Sequence, residues 1–458
     1  EGHHAAELKG KFAYPIISNR RFTNDKFQFH VPITMNFKAT GMNRIDFDVR
    51  EFLKDNPDIN IIGIDRGERH LLYLTLIDQK RKIIKQMTLN EIVNSYHKNG
   101  KTVEVKTDYH EKLDKKEADR EKARKDWGTI ERIKDLKEGY LSHVIHVIAQ
   151  MMVEHNAIVV MEDLNFGFKR GRQKVEKSVY QNFEKMLIDK LNYLVFKDRK
   201  PTVAGGTLKA YQLASKFESF QKLGKQSGFI FYVPAALTSK IDPATGFVDF
   251  LKPRYESVAK AKDFVAKFRS ISYNKAKDWF EFSLDYKNFI ASFENGKSEW
   301  TVCSTNVERY RWNSKLNQNK GAQEAVHVTA ELKALFKSQD IAFESGQDLR
   351  AEIVKQDDAE FFKKWTRLLS TLLSLRHNNG KKDGEERDFI LSPVAPFFNS
   401  LEAKVSQPQD ADANGAYHIA LKGLWALGQM NKAKDDAELK KVKLAISNKD
   451  WLAFAQSK

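Results

Sequence analysis

Three acidic positions sit where a carboxylate is hard to accommodate. Asp65 closes Ile59-Asn-Ile-Ile-Gly-Ile-Asp65, a run otherwise almost wholly apolar, and Glu162 closes Ala157-Ile-Val-Val-Met-Glu162 in the same manner. Each run reads as a buried strand, where an ionised carboxylate is unfavourable unless donors or cations compensate it. A third acidic pair, Asp410 and Asp412, lies in Asp410-Ala-Asp-Ala-Asn-Gly415 at a predicted helix start. Carboxylates converging from two strands and a helix can hold two divalent ions about 3.5–4 Å apart, one activating water and one stabilising the leaving oxygen. Oxygen-only donors favour Mg²⁺ or Mn²⁺. Each acid also has a plainer reading: Asp65 opening a turn through Arg66 and Gly67, Glu162 and Asp163 ending a strand, Asp412 capping a helix. Their occurrence together, in this chain order and between matching elements, favours the metal-binding reading.

The elements that would position these acids follow from periodicity. Ile59–Asp65, Leu71–Ile77 and Lys82–Met87 are apolar runs with short polar breaks, which predicts a three-stranded antiparallel meander with its first strand central. Ile130, Ile133, Leu136, Leu141, Val144, Ile145, Ile148, Met151 and Met152 repeat with helical spacing, giving an amphipathic helix; His143, His146 and His155 on or near it read as ordinary helix residues. After the Glu162 strand comes a second amphipathic helix, Val175 to Phe196, and then a strand candidate, Gly228–Pro234. Meander, helix, strand, helix is an order that resembles the opening of an RNase H-like mixed α/β sheet.

Elsewhere the pattern is thinner. Residues 1–58, with the alternating run Lys26–Thr34, read as strands of a larger domain. Glu111 to Asp126 is almost wholly charged and predicts a solvated bridging helix ended by Trp127, which either docks into another domain or caps the helix locally. Asp242-Pro-Ala-Thr-Gly246 marks a break, followed to about Asn399 by aromatic-rich, irregular sequence with the look of an inserted domain. A last helix is expected after Asp410–Gly415, then a strand-like Val442–Ile446 and a short terminal helix.

Composition sets the partner class. At 458 residues and 41% hydrophobic, the chain has material for more than one core. Lys and Arg number 77 against 61 Asp and Glu, a net +16 spread along the chain, which suits a polyanion whose counterions are released on binding. Phe166-Gly-Phe-Lys-Arg-Gly-Arg-Gln-Lys174 sets Lys169, Arg170, Arg172 and Lys174 beside two aromatics directly after Glu162, a composition that fits a single strand passing the site or, more plainly, a solvated loop. The single cysteine, Cys303, excludes an internal disulfide and any CxxC zinc site and points to a reducing compartment. No apolar stretch is long enough for a membrane span, and the opening Glu1-Gly-His-His has neither an initiator Met nor a signal peptide, so a fragment, a processed product or a trimmed chain is expected.

Three segments closely resemble the split RuvC motifs of type V-A CRISPR-associated effector nucleases: Asn60-Ile-Ile-Gly-Ile-Asp-Arg-Gly-Glu-Arg69, Val159-Val-Met-Glu-Asp-Leu-Asn-Phe-Gly-Phe-Lys169 and Gln409-Asp-Ala-Asp-Ala-Asn-Gly-Ala-Tyr-His418. So do Arg20–Phe27, Lys185–Asn192 and Thr238–Phe247, and the resemblance covers nearly the whole chain. It implies that Asp65, Glu162 and Asp412 are the metal-binding acids and that Glu111–Trp127 is a bridge helix anchored by Trp127. It further implies that the insertion is a nuclease-associated (Nuc) α+β domain in which Arg376 of Ser374-Leu-Arg-His377 is the catalytic arginine and Asp388 an accompanying acid. From the residues alone, Arg376 ends the apolar helical stretch Leu368–Leu375 and reads as a helix-end cation, although its fork of donors suits phosphate oxygens. The implied division is 1–58 remnant of an RNA-gripping wedge domain, 59–110, 128–236 and 410–458 RuvC parts, 111–127 bridge helix, and 237–409 Nuc.

The same resemblance implies a guide CRISPR RNA, single- and double-stranded target DNA, a prokaryotic cytoplasm and one RuvC site that cuts both strands. Relative to that family the sequence lacks the recognition lobe, the region that reads the adjacent motif and most of the RNA-gripping domain, so an N-terminal lobe or complementary chain is an expected partner. Ser18 stands where related sequences commonly carry a lysine implicated in trimming the guide precursor, and that activity is not carried over. Two other readings stay open: a non-catalytic nucleic-acid-binding fragment, and an unguided transposase- or resolvase-like nuclease, which the lack of a Cys-rich zinc ribbon disfavours.

Overall fold

The computed structural model describes residues 44–66, 71–98, 100–109, 134–163, 174–193, 213–304, 308–318, 321–375 and 390–457, with scattered positions from 111 to 122. Residues 41–458 form one compact unit. The predicted meander is present as β1 (Asn60–Asp65), β2 (Tyr73–Ile77) and β3 (Ile83–Thr88), paired antiparallel. A hairpin of β4 (Glu91–Lys98) and β5 (Lys101–Asp108) follows, which the hydrophobic pattern did not announce because its described side chains are mostly exposed. Then come helix α2 (Lys134–Glu154), β6 (Ala157–Asp163), helix α3 (Lys174–Tyr193), and the pair β7 (Gln226–Ser227) and β8 (Ile230–Pro234).

The strands assemble as one six-stranded mixed sheet in the order β3-β2-β1-β6-β8-β7. β1 runs parallel to β6 and β6 parallel to β8, each across a helical connection or a long excursion, whereas the meander and the β7–β8 pair are antiparallel. β1 is central and covered on both faces, which is why its sequence is a continuous apolar run instead of an alternating one. Helices α2 and α3 contribute Tyr140, Val144, Ile148, Phe183 and Leu187 to the principal core. The other face is covered by helix α4 (Ala411–Lys432), whose backbone lies directly on β1: a Cβ at Gly63 would come within 2.6 Å of the Ala420 nitrogen. Close approach, and no special φ, requires glycine there. This is the mixed sheet with flanking helices expected of an RNase H-like fold.

Residues 247–397 build a second hydrophobic cluster of their own, dense in Phe, Tyr and Trp and centred on Trp365, Phe280, Phe282 and Tyr286. Far from irregular, this insertion holds a three-stranded antiparallel sheet (Ser270–Asn274, Trp279–Asp285, Glu299–Cys303), a hairpin (Arg309–Asn313 with Ala322–Val326) and the helix Ala359–Leu373. The pattern in Trp279–Asp285 does alternate strictly in burial, but its polar positions are half-buried, which blurred the signal.

Three further expectations are corrected. Residues 45–55, expected among strands, form helix α1 (Ile45–Asp55), with Ile45, Val49 and Leu53 buried on one face, Asp46 and Asp48 in the first turn and Lys54 in the last. Val442–Ile446 is not a strand; it follows the short helix Asp436–Lys441, and Leu444 and Ile446 are buried from irregular backbone before helix α5 (Asn448–Gln456). Helix α4 begins at Ala411, inside the acidic motif and not after it. Every described residue from 109 to 122 has helical backbone, in the region of the charged helix expected over Glu111–Asp126, whose last positions lie outside the described residues. No helix among the described residues is long and apolar enough to cross a membrane.

Candidate metal centre

Asp65 and Glu162 end neighbouring parallel strands. The register pairs Ile64 with Met161, so the next step sets Asp65 beside Glu162 at the carboxyl end of the sheet. Both lie on the face that α4 covers, because the contact positions alternate: a Cβ at Gly423 of α4 would meet Ile61 and Val160, and one at Gly415 would meet Asp65. Asp412 is in the first turn of α4, where the helix's positive end favours a carboxylate. The cap itself is Asp410, whose carboxylate accepts from the Ala413 N–H at 2.7 Å, so of the two acids in the motif Asp410 builds the helix start and Asp412 is carried by it.

The electrostatics bind the three acids into one group. Asp65 is 8% exposed. Burial first, and then the charges of Glu162 and Asp412, push its carboxyl well above the usual carboxylate range, against the opposing pull of the Arg66 N–H, which donates to Asp65 Oδ1 at 2.8 Å. Glu162 is raised by burial as well, opposed by the Thr238 hydroxyl and by the charges of Arg66 and Lys422. Among the described residues no three His, Cys, Asp or Glu side chains are already gathered at metal-ligand spacing. The donor set nonetheless fits a hard divalent cation: it is all oxygen, and it concentrates like charge in a buried place that a cation would relieve.

Several residues that hold this group were not singled out by sequence. Arg66 directly follows Asp65; its guanidinium donates to the Glu162 carbonyl at 2.6 Å and pairs with Glu184 of α3, its side chain 3% and that of Glu184 11% exposed. It ties the ends of β1 and β6 to α3. Tyr73, paired with Asp65 across β2, is buried, and burial followed by Asp410 and Asp412 pushes its phenol well up. Thr238 donates to Glu162 Oε1, and Lys422, fully buried on α4, donates to the Pro234 and Ala236 carbonyls. Lys422 does leave a trace, a lone cation inside Ile419-Ala-Leu-Lys-Gly423; Thr238 opens the motif Thr238–Phe247, but nothing in that motif marks its hydroxyl.

Ser18, Trp127, Lys169, Arg170, Arg172, Arg376 and Asp388 lie outside the described residues, as does the side chain of Lys174. His143 and His146 line a cavity of about 460 Å³ with Lys190, a lining that includes none of the three acids. Burial and the neighbouring His146 push the His143 imidazole down.

A family model described as the RuvC nuclease domain matches residues 39–458, a span that includes the whole sheet, α4 and all three acids. Nucleases of this type typically use divalent metal ions. The chain therefore belongs to the RuvC nuclease domain family, enzymes that hydrolyse nucleic acids.

Proposed function

We propose that the chain is the cutting part of an RNA-guided DNA endonuclease of the type V-A CRISPR-associated kind, hydrolysing phosphodiester bonds of both the target and the non-target strand at one site made by Asp65, Glu162 and Asp412. The observation that carries the cutting chemistry is the convergence of those acids from β1, β6 and the first turn of α4 at one end of the central sheet, while the guided, two-strand part of the reading rests on the resemblance of the three motifs. Mg²⁺ or Mn²⁺, two ions in all, would be held by the three carboxylates and would supply an activated water and charge stabilisation at the leaving oxygen. Around them the protein's own groups divide the labour. Arg66 fixes the strand ends, and the capped start of α4 holds Asp412 in place. Lys169, Arg170, Arg172 and Lys174 serve the backbone of a single strand, and Arg376 is the catalytic arginine of the insertion, its fork of donors suited to phosphate oxygens. Asp388 and Trp127 support the insertion and the bridge helix.

Sequence choice belongs to guide pairing, with the protein gripping the heteroduplex by its backbone. A guide RNA and a recognition lobe, in the same polypeptide or a complementary chain, are the partners in this reading, and a prokaryotic cytoplasm its setting. The domain division given from the sequence stands within it, with the first boundary drawn near residue 40, since helix α1 packs into the core of the sheet. Single-turnover cleavage of end-labelled DNA, with and without the guide and recognition half, tests the reading. Guided double-strand cutting should need both, should be supported by Mg²⁺ or Mn²⁺ and poorly by Ca²⁺, and should vanish on treatment with EDTA. Cutting that survives exhaustive chelation rules out the metal-dependent chemistry; cutting at the guided position without guide selects the unguided nuclease.

A further inference from the structure

The chain leaving β8 is held more firmly than a connection needs. Between Pro234 and Ile241, five backbone carbonyls accept from buried side chains of the terminal helices, that of Ser239 from Asn414 at a long 3.5 Å. Lys422 of α4 donates to Pro234 and, at 2.6 Å, to Ala236. Trp451 of α5 donates from its indole to Leu237 at 2.9 Å, and Asn414 of α4 to Ile241 at 2.9 Å. Leu237 sits at φ 58°, in the left-handed region that a branched side chain rarely adopts, so the surrounding bonds over-determine the backbone. The product of this anchoring is the placement of one hydroxyl. Thr238 is 3% exposed, and its Oγ1 stands 2.5 Å from Glu162 Oε1 and 3.0 Å from the Ala235 carbonyl. With a single proton to give, the shorter contact to a carboxylate is the stronger.

Lys422 is an unusual choice for a lock. It is wholly buried, its ammonium 5.1 Å from the centre of the Trp451 ring, and an apolar side chain of similar volume would fill the space without desolvating a charge. What the ammonium adds is a grip on two carbonyls of the segment and a positive charge that acts on Glu162. Burial lowers the Lys422 ammonium to about 8, with Glu162 opposing the change.

We propose that residues 234–241 are a strap that aims the Glu162 carboxylate, with Thr238 as the positioning residue and Lys422 as the lock that holds it to α4. The inference rests on Glu162 being a metal-binding carboxylate. Hydrogen-bond partners of ligating carboxylates typically contribute about 10–100-fold to metal affinity.

The test is Mn²⁺ uptake by the whole chain, followed by loss of the free-ion electron paramagnetic resonance signal, for wild type, Thr238→Val, Thr238→Ser, Glu162→Ala and Lys422→Met. Thr238→Val keeps the shape and removes the hydroxyl, and should weaken uptake about tenfold, whereas Thr238→Ser keeps the hydroxyl and should stay near wild type. A merely structural threonine gives the reverse order, since the serine variant is the one that loses a buried methyl. In Lys422→Met, amide hydrogen exchange over 235–241 should quicken, which Thr238→Val should not cause; should that variant fail to fold, the two Thr238 variants decide alone. Normal uptake by Thr238→Val beside weakened uptake by Glu162→Ala overturns the strap and leaves the metal centre standing. Normal uptake by Glu162→Ala, or none by wild type, overturns the centre and the strap with it.

Discussion

Gly415 offers a perturbation that separates the site from the fold. It lies one turn into α4, where glycine is the poorer helix former, so alanine should stabilise the helix by about 1 kcal/mol. Its position opposes that gain. A Cβ there would sit 2.8 Å from Asp65 Cγ and closer still to Oδ2, and ordinary contact begins at 3.4 Å. The carboxylate must retreat by more than half an ångström, or α4 must lift from a sheet that it meets almost backbone to backbone at Gly63. Overpacking of this kind costs about 1–3 kcal/mol, so the net loss of stability should lie between about zero and 2 kcal/mol. For the chemistry the same displacement is severe, because misplacing a reacting group by about 1 Å typically costs about 10²-fold in rate. Gly415→Ala should therefore melt within a few degrees of wild type, bind guided DNA normally in Ca²⁺, and cut both strands tenfold to a hundredfold more slowly in single turnover, by about the same factor for each. A well-folded Gly415→Ala enzyme that cuts at the wild-type rate would refute the claim that Asp65 must stay where β1 puts it.

Asp65→Ala, Glu162→Ala and Asp412→Ala should each abolish cutting of both strands in the assembled enzyme while guided DNA binding persists; Asp410→Ala should instead lose about 1 kcal/mol of stability in thermal melts, as a lost cap does, and keep most of its cutting. Asp65 and Glu162 have raised pKa values in the metal-free fold, so the folded state holds protons that the unfolded chain releases, and stability should fall as pH rises from the ordinary carboxylate range through the raised values. Melts in EDTA and in Mg²⁺ across pH 5 to 8 should show the metal's stabilisation growing with pH, and a metal increment that shrinks with pH would contradict the assignment. Arg66→Ala strands Glu184 without its buried partner and should cost ~3–5 kcal/mol by denaturant unfolding, far more than alanine at a surface arginine such as Arg367. Arg376→Ala should slow target-strand cutting more than non-target cutting on doubly labelled duplex if the arginine guides the strand that travels farther, and both strands alike, by about 10²–10³, if it stabilises transition-state charge.

How much of this was legible in the sequence depends on whether a residue contradicts its surroundings. Asp65 and Glu162 stood out because each ends a run that is otherwise almost wholly apolar, and pairing those two strands sets both acids at one edge of the sheet, as the parallel β1–β6 register does. Helix α1 was missed for the opposite reason: Ile45, Val49 and Leu53 are a sparse stripe among charges, too weak over eleven residues to outweigh the strand-like run before it. The β4–β5 hairpin carries little apolar contrast to read, its Val93 and Val105 being exposed. Val442–Ile446 alternates as a strand does, yet among the described residues it pairs with no strand and buries Leu444 and Ile446 from irregular backbone, so burial alone produced the pattern.

The groups bonded around the acids mostly escape such reading, the lone cation Lys422 in its apolar run apart. Thr238, Arg66 and Lys422 are chosen by what lies opposite them in space, on β6, α3 and the segment after β8, and their partners are in large part backbone carbonyls, which every residue possesses. No spacing rule connects Lys422 to Pro234 or Thr238 to Glu162 across 188 and 76 positions. The candidate metal centre is thus written twice in this chain. The ligands appear as local anomalies that a sequence displays, while their orientation depends on long-range hydrogen bonds that only the fold brings into being. The second layer is also the more exacting, because a carboxylate present in composition but turned by a fraction of an ångström loses most of what its position confers.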